Sequence, residues 1–407
     1  MITPEQAWRL IVRHTKKLPV QKLALHQCLH HVLAQNVLAD RDIPPADRAA
    51  MDGYAVRATD LAKEPVTLTV VGEVAAGSPA APSVSAAQAV RIFTGANVPP
   101  GADAVVMRED TEPERVAIGA RVRILRPVPR GANIFRQGEN AGKGRVLLRT
   151  GDRIQPAHCG VCAAVGASAL KVIRQPTVSL LCTGAELLDA SASAAPHQLR
   201  NSNGPMLAAA LTAYNYTVTV VASAPDNAAR IARAMRHCLA HSDVLLTTGG
   251  VSVGDYDLVP DAVQRLGAVV RFHKVAIKPG KPLLFATCSD DRCIFALPGN
   301  PLSAMNCFFE FVLPTLGRLG GTPPGHCRPV VWARLASGAV EGDRRQKHVL
   351  GRILWRDSGP FVEIVRSVGT ADLVAGGQAD GTIMVPAGAD RTKAGAVVAF
   401  RPWRQLP

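Results

Sequence analysis

Residues 243–257 read DVLLTTGGVSVGDYD. The apolar run VLLTT has the texture of a buried strand, and it empties into Gly249, Gly250, Ser252 and Gly254 before two acids, Asp255 and Asp257, spaced one residue apart. Glycines let the backbone come close to a ligand. Backbone N–H groups in such a loop, or at the start of the helix after it, cradle an anion. Two carboxylates facing an anion repel it unless a divalent cation sits between them, so the stretch predicts phosphate plus metal.

The flanking sequence repeats the pattern of strand then loop. TVSLLCT, TVTVVAS and VLLTT read as strands; GPMLAAALTAY and DLVPDAVQRLG read as helices, and Asp226 is placed to cap a helix whose Ile231, Met235 and Leu239 share one face. VVRFHKVAI, PLLFAT and CIFAL are further strands and PLSAMNCFFEFVLPTL a closing helix. Such alternation predicts a three-layer α/β/α domain on a mostly parallel sheet over residues 176–325. Residues 1–40 read as helical, and PAHCGVCAAVGA resumes helix within 141–175, which predicts a discontinuous N-terminal domain (1–40 and 141–175). A β-rich insert (41–140) interrupts it, and residues 326–407 form a small C-terminal β domain.

The 407 residues suffice for several cores, and 47% hydrophobic content excludes a disordered chain. A net charge of +14 admits nucleic acid, an acidic membrane or an anionic small molecule. With 4% aromatics and no dense Lys/Arg run there is no stacking platform for single strands, so an anionic ligand is expected, with no nucleic acid and no membrane. No apolar run reaches membrane-spanning length, and Thr3, Pro4 and Gln6 read as a helix start rather than a secretory leader. Nine cysteines among apolar neighbours suggest reduced thiols in a cytoplasm. Cys159 and Cys162 lack a second cysteine pair at zinc spacing and a thioredoxin-like context.

In a parallel sheet, ligands bind at the carboxyl ends of the strands. TGAEL (183–187), Asp226, GGVSVGDYD, KPGKP (278–282) and LPGNP (297–301) all follow such ends. Each has a plainer reading. Asp226 serves equally as a helix cap, Glu186 as a solvated loop residue, and one of Asp255 and Asp257 as the cap of the next helix. Lys274, Lys278 and Lys281 read as solvated charges or as oxyanion partners around a Pro-Gly turn. Pro298 and Pro301 read as turn punctuation, with Ser252 and Ser303 serving the turns. Asp52 in MDGYAV and Thr94 in FTGANVPPGADAVV read alone as ordinary turn residues.

MDGYAV, FTGANVPPGADAVV, TGAEL, TTGGVSVGDYD, KPGKP and LPGNPLSA, in this order and spacing, resemble the molybdopterin molybdenumtransferase family, the molybdenum insertases that include the C-terminal enzyme domain of gephyrin. The similarity extends to RQGEN (136–140) and GTADLVAGGQADG (369–381). It implies a cytoplasmic enzyme that takes molybdopterin adenylate and molybdate, inserts the metal and releases AMP with Mg2+. It also implies a homodimer in which the insert of one subunit closes on the α/β domain of the other, and possible contact with molybdopterin adenylyltransferase.

Carried over position by position, the resemblance gives Asp52, Thr94, Glu186, Asp226 and Asp257 catalytic roles, with Glu186 and Asp257 on magnesium. Gly249, Gly250, Ser252, Gly254, Lys274, Lys278, Lys281, Pro298, Pro301 and Ser303 would contact substrate, and Arg345 and Thr370 would contact molybdate. In this chain Ala185 stands where the family usually carries a polar or acidic residue, and Thr370 where a serine is common. Metal binding at TGAEL therefore rests on Glu186. Two competing readings are an adenylyltransferase, which would need only the third block, and a scaffold that binds the pterin without turnover.

Overall fold

Six strands between residues 177 and 297 hydrogen-bond into one sheet. They are β1 (Thr177–Thr183), β2 (Thr217–Ala224), β3 (Val244–Thr248), β4 (Val269–His273), β5 (Leu284–Thr287) and β6 (Cys293–Leu297), in the order β2-β1-β3-β6-β5-β4. The computed structural model describes residues 1–62, 65–79, 82–113, 115–251 and 258–404. The pairs β2/β1, β1/β3 and β3/β6 are parallel, whereas β5 runs antiparallel to both neighbours. The central strands β3, β5 and β6 are buried at every residue, as expected when both faces are covered. The edge strand β2 instead alternates in burial.

One face packs Val178, Leu180, Leu246, Phe285 and Phe295 against α1 (Pro4–His14), α2 (Asn203–Ala213) and α5 (Pro301–Cys307). The other packs Leu181, Leu245 and Ile294 against Ile231, Met235 and Leu239 of α3 (Ala228–Ala240) and Val259 and Val263 of α4 (Val259–Arg265). This is the expected three-layer arrangement. The α1 capping box forms as read, with Gln6 N donating to Thr3 Oγ1 at 3.1 Å and Thr3 N to Gln6 Oε1 at 2.8 Å. Helix does not continue to residue 40, however: α1 ends at Thr15, which is extended, and a strand, Val20–Ala24, follows. Pro19 restricts Leu18 and cannot donate, so propensity gives way there.

The closing helix is also broken. After α5 the chain passes through a π-helical turn, Phe308–Val312, into α6 (Leu313–Leu319). Pro314 lacks an N–H and its ring crowds the carbonyl four residues back, which the wider turn relieves.

By Cα packing the chain divides into two compact units, Met1–Leu23 with Cys28–Ala34 and Lys171–Pro407, and Ala24–Gln27 with Gln35–Leu170. Besides the α/β sheet, the first unit contains a second one. Val331–Leu335, Gln346–Arg356, Gly359–Ile364, Gly381–Val385 and Val397–Pro402 close on themselves, because Gln346–Arg356 pairs with both Gly359–Ile364 and Gly381–Val385. Ala333, Leu335, Ile353, Val362, Ile383 and Phe400 fill this barrel. A short strand, Ile277–Lys278, adds in parallel to Gln346–Lys347 and joins the barrel to the α/β layer.

The second unit is built on a six-stranded sheet that includes Gly53–Val56, Val66–Val74, Gln88–Ile92 and Ala104–Met107. A helix, Pro156–Ala164, stands where PAHCGVCAAVGA predicts one. The nine cysteines form no disulfide, and among the described residues no group of three or more His, Cys, Asp or Glu is placed to hold a metal. Among the described residues no helix is long and apolar enough to cross a membrane.

Candidate functional site

The carboxyl ends of β1, β2, β3 and β6 lie on one edge, and the reversed direction of β5 brings the loop before it to that same edge. A cavity of about 580 Å³ opens there. Thr183, Gly184 and Glu186 after β1, Asp226 after β2, Gly249 to Val251 after β3, Lys278 to Pro282 before β5, and Pro298 to Asn300 after β6 line it. Sheet order thereby becomes chemical order. Carboxylates lie beyond β2 and β1, glycines beyond β3 and β6, and ammonium groups beside β5.

Two glycines are required by geometry. Gly249 has φ +93°, and a Cβ there would sit 2.3 Å from the Thr183 carbonyl oxygen. Gly280 has φ +114°, and its Cβ would meet Cys307 Sγ at 2.6 Å. Helix α5 holds the KPGKP turn from behind: Asn306 Nδ2 donates to the Pro279 carbonyl at 2.8 Å, and the Cys307 thiol to the Gly280 carbonyl at 3.4 Å. Burial pushes that thiol above its ordinary range, so it stays protonated as a donor.

Asp226 does not cap α3. Asn227 does, its side-chain oxygen accepting from Ala229 N and Arg230 N, both at 3.1 Å. Asn227 has the extended backbone that a cap requires, so Asp226 is left one residue outside the helix, where its Oδ2 accepts from Ala185 N at 3.0 Å and ties down the TGAEL loop. Glu186 and Asp226 both line the cavity, giving the oxygen donors that a hard divalent cation takes. Ser252, Gly254, Asp255 and Asp257 lie outside the described residues.

Opposite the acids stand Lys278, Lys281 and Arg345, with Ser303 and Thr370. Arg345 and Thr370 belong to the barrel half of the chain, more than 40 residues beyond the last α/β strand, yet they line the same cavity. Thr370 is held by Asn300, whose Nδ2 donates to Thr370 Oγ1 at 2.6 Å, and by Leu302 N on the Thr370 carbonyl at 3.1 Å. Lys278 Nζ donates to Asp343 Oδ2 at 2.8 Å, and Arg345 N to Asp343 Oδ1 at 3.0 Å. These contacts hold the Asp343 carboxyl far below the usual carboxylate range. Lys274 and Pro301 are not among the lining residues: Lys274 turns the chain with φ +73°, and Pro301 starts α5.

Sequence reading passed over Asn300, Asn306 and Asp343. Asn300 sits inside a quoted motif, but Asp343 pairs with a lysine 65 positions away, a separation that leaves no periodic signal.

In the second unit, Gly53 pairs with Ile92 across antiparallel strands, which sets the residue before one strand beside those after the other. Asp52 and Thr94 meet in consequence. Asp52 Oδ1 accepts from Thr94 N at 2.8 Å and Thr94 Oγ1 at 2.7 Å, and these bonds lower the carboxyl below its ordinary value. Thr94 lines a cavity of about 460 Å³ with Arg41, Arg48 and Asn140.

The family described as "MoeA N-terminal region (domain I and II)" matches residues 2–166, and "Probable molybdopterin binding domain" matches residues 179–318. The molybdopterin molybdenumtransferase of Bacillus subtilis is 36% identical over 336 residues, covering 81% of this chain and 78% of that protein. The protein of the same name in Staphylococcus aureus is 32% identical over 403 residues, covering 98% and 89%. A crystal structure of the molybdopterin biosynthesis moeA protein from Pyrococcus horikoshii superposes with a TM-score of 0.82 at 26% identity, covering 98% of this chain and 99% of that one. By its matched regions, its relatives and its fold, this chain belongs to the molybdopterin molybdenumtransferase family, a family of transferases in molybdenum cofactor biosynthesis.

Proposed function

We propose that this chain binds molybdopterin adenylate and molybdate, joins the metal to the dithiolene and releases AMP in a magnesium-dependent step. The observation that carries the reading is the graded lining of the 580 Å³ cavity, from Glu186 and Asp226 through Gly249 and Gly250 to Lys278, Lys281 and Arg345. A phosphate-linked substrate needs backbone donors at its centre, and an oxyanion needs fixed cations at one end.

In this mechanism the glycine loop admits the pterin and phosphate groups against the backbone. Lys278, Lys281 and Arg345 offset the charge of molybdate, with Thr370 and Ser303 as hydroxyl partners. Glu186, with Asp226 beside it and Asp257 in the family's metal position, would hold Mg2+, which supplies polarisation of the bridging phosphate when bound. Water or a molybdate oxygen then expels AMP from the pyrophosphate.

The same proposal includes a cytoplasmic homodimer in which the unit bearing Asp52 and Thr94 completes the cavity of the other protomer. It also includes the finer four-part domain division and contact with the adenylyltransferase that supplies the substrate. Thr94 fixes Asp52 ionised, as an acid at a phosphate-metal site must be.

The deciding experiment is AMP release from molybdopterin adenylate by the purified protein, with and without magnesium and molybdate. Release requiring both is the expected result. Tight binding with no release under any condition would make the chain a carrier and overturn the reading.

A further inference from the structure

Lys278 and Arg345 reach the cavity from two different layers, the KPGKP turn and the barrel, yet both are engaged by one carboxylate that does not itself line the cavity. Asp343 Oδ2 takes the Lys278 ammonium at 2.8 Å, while Oδ1 takes the Arg345 amide at 3.0 Å and lies 3.5 Å from Arg345 Nε. The main chain that carries this carboxylate is held independently of the ion pair. A Cβ at Gly342 would stand 1.8 Å from the Ala389 carbonyl oxygen, and Gly388 N donates to the Asp343 carbonyl at 2.9 Å. The lysine is anchored as firmly, since Ile277–Lys278 is a strand paired to Gln346–Lys347. Neither main chain is free to follow its partner, so the pair yields only by rotation of the lysine side chain, which is 48% exposed.

We propose that Asp343 is the counter-ion that a bound oxyanion must displace from Lys278, and that it thereby sets how tightly the cavity holds molybdate. This rests on the reading of the cavity as an oxyanion site. An ammonium shared between Asp343 and a dianion serves two negative charges at once, so occupancy costs either the Asp343 bond or repulsion between the two anions. Such weakening suits a site whose oxyanion must be handed on rather than retained. Asp343 also acts as a positioning residue for Arg345, whose backbone amide it fixes at the first residue before Gln346–Arg356.

The test is equilibrium dialysis of molybdate, with tungstate and sulfate in parallel, against the wild-type chain, Asp343→Asn, Lys278→Gln and the double variant. Asp343→Asn is expected to bind molybdate on the order of fivefold more tightly, as the loss of a competing exposed ion pair implies. The gain should shrink with added salt and vanish in the Lys278→Gln background. A gain in affinity is not something a damaged fold produces. Should Asp343→Asn fail to fold, Asp343→Ser carries the same expectation. Equal or weaker binding by the folded variant would overturn the counter-ion role while wild-type binding left the oxyanion reading standing. Absence of oxyanion binding by every form would overturn both.

Discussion

Asn300, at the end of the LPGNP loop, and Thr370, in the barrel half of the chain, are joined side chain to side chain by a 2.6 Å hydrogen bond. Both residues line the cavity, so this bond fixes one of its walls to another. Thr370→Val removes the acceptor but leaves Asn300 in reach of water. Stability should change by no more than about 0.5 kcal/mol. Molybdate affinity should fall about fivefold, the worth of one hydrogen bond. Thermal melting and dialysis together check this, and an unchanged affinity would remove Thr370 from the oxyanion contacts.

Gly249→Ala forces a side chain into a left-handed backbone and against the Thr183 carbonyl. The strain alone costs about 1–3 kcal/mol. Urea unfolding should show that loss, and adenylate binding should weaken because the loop must move away from the phosphate.

Glu310 is 0% exposed in the π-helical turn, where its carboxylate bonds Arg401 Nε at 3.1 Å and pairs with Arg328. Burial lowers both guanidiniums to about 10, so they remain charged at neutral pH. Glu310→Leu leaves the buried Arg401 without its anion and Arg328 with Glu5 alone, and a loss of about 3–5 kcal/mol is expected in denaturant titration. Because Arg401 belongs to the barrel, loosening of the barrel should accompany it, read as faster amide exchange in Val397–Pro402.

His348 is buried, with Nδ1 3.1 Å from Thr382 Oγ1, and burial together with Arg401 and Arg328 pushes its pKa down to about 3. In the unfolded chain the imidazole titrates near 6.5, so between those values the unfolded state binds the extra proton. Stability therefore rises with pH across that window and is lost as pH falls below 6.5, with a slope of up to about 1.4 kcal/mol per pH unit from this group. His348→Gln should flatten the acid limb relative to wild type in melts between pH 6.5 and 4; identical slopes would dismiss the buried neutral histidine.

Asp257→Asn should keep pterin binding and lose magnesium-dependent AMP release. Turnover equal to wild type would discard a metal role for this residue and leave Glu186 and Asp226 as the acids to test.

What was legible in the sequence was whatever is local. Strand runs such as VLLTT and CIFAL, the Thr3–Gln6 capping box and the glycine loops each declare themselves within a few residues, because period, cap chemistry and turn chemistry are short-range. The convergence of those loops on one edge was also legible, since parallel strands impose it. Propensity misjudged two places, the chain after Thr15 and the helix through Pro314, where a proline overrode its neighbours. One assignment slipped by a single position, from Asp226 to Asn227, because both residues satisfy a cap and only backbone torsion chooses between them.

By itself, then, the sequence determined the α/β alternation, the edge at which ligand-binding loops gather, and the family to which they belong. Tertiary structure alone decided that β5 runs against both its neighbours, and how Arg345 and Thr370, expected there only by resemblance, come from the barrel to line the same cavity. It also decided that Asp343 stands behind Lys278 and Arg345. The physical reason is separation along the chain. Sheet order and ion pairing between residues tens of positions apart depend on how layers stack, and no local pattern records which charge will end beside which.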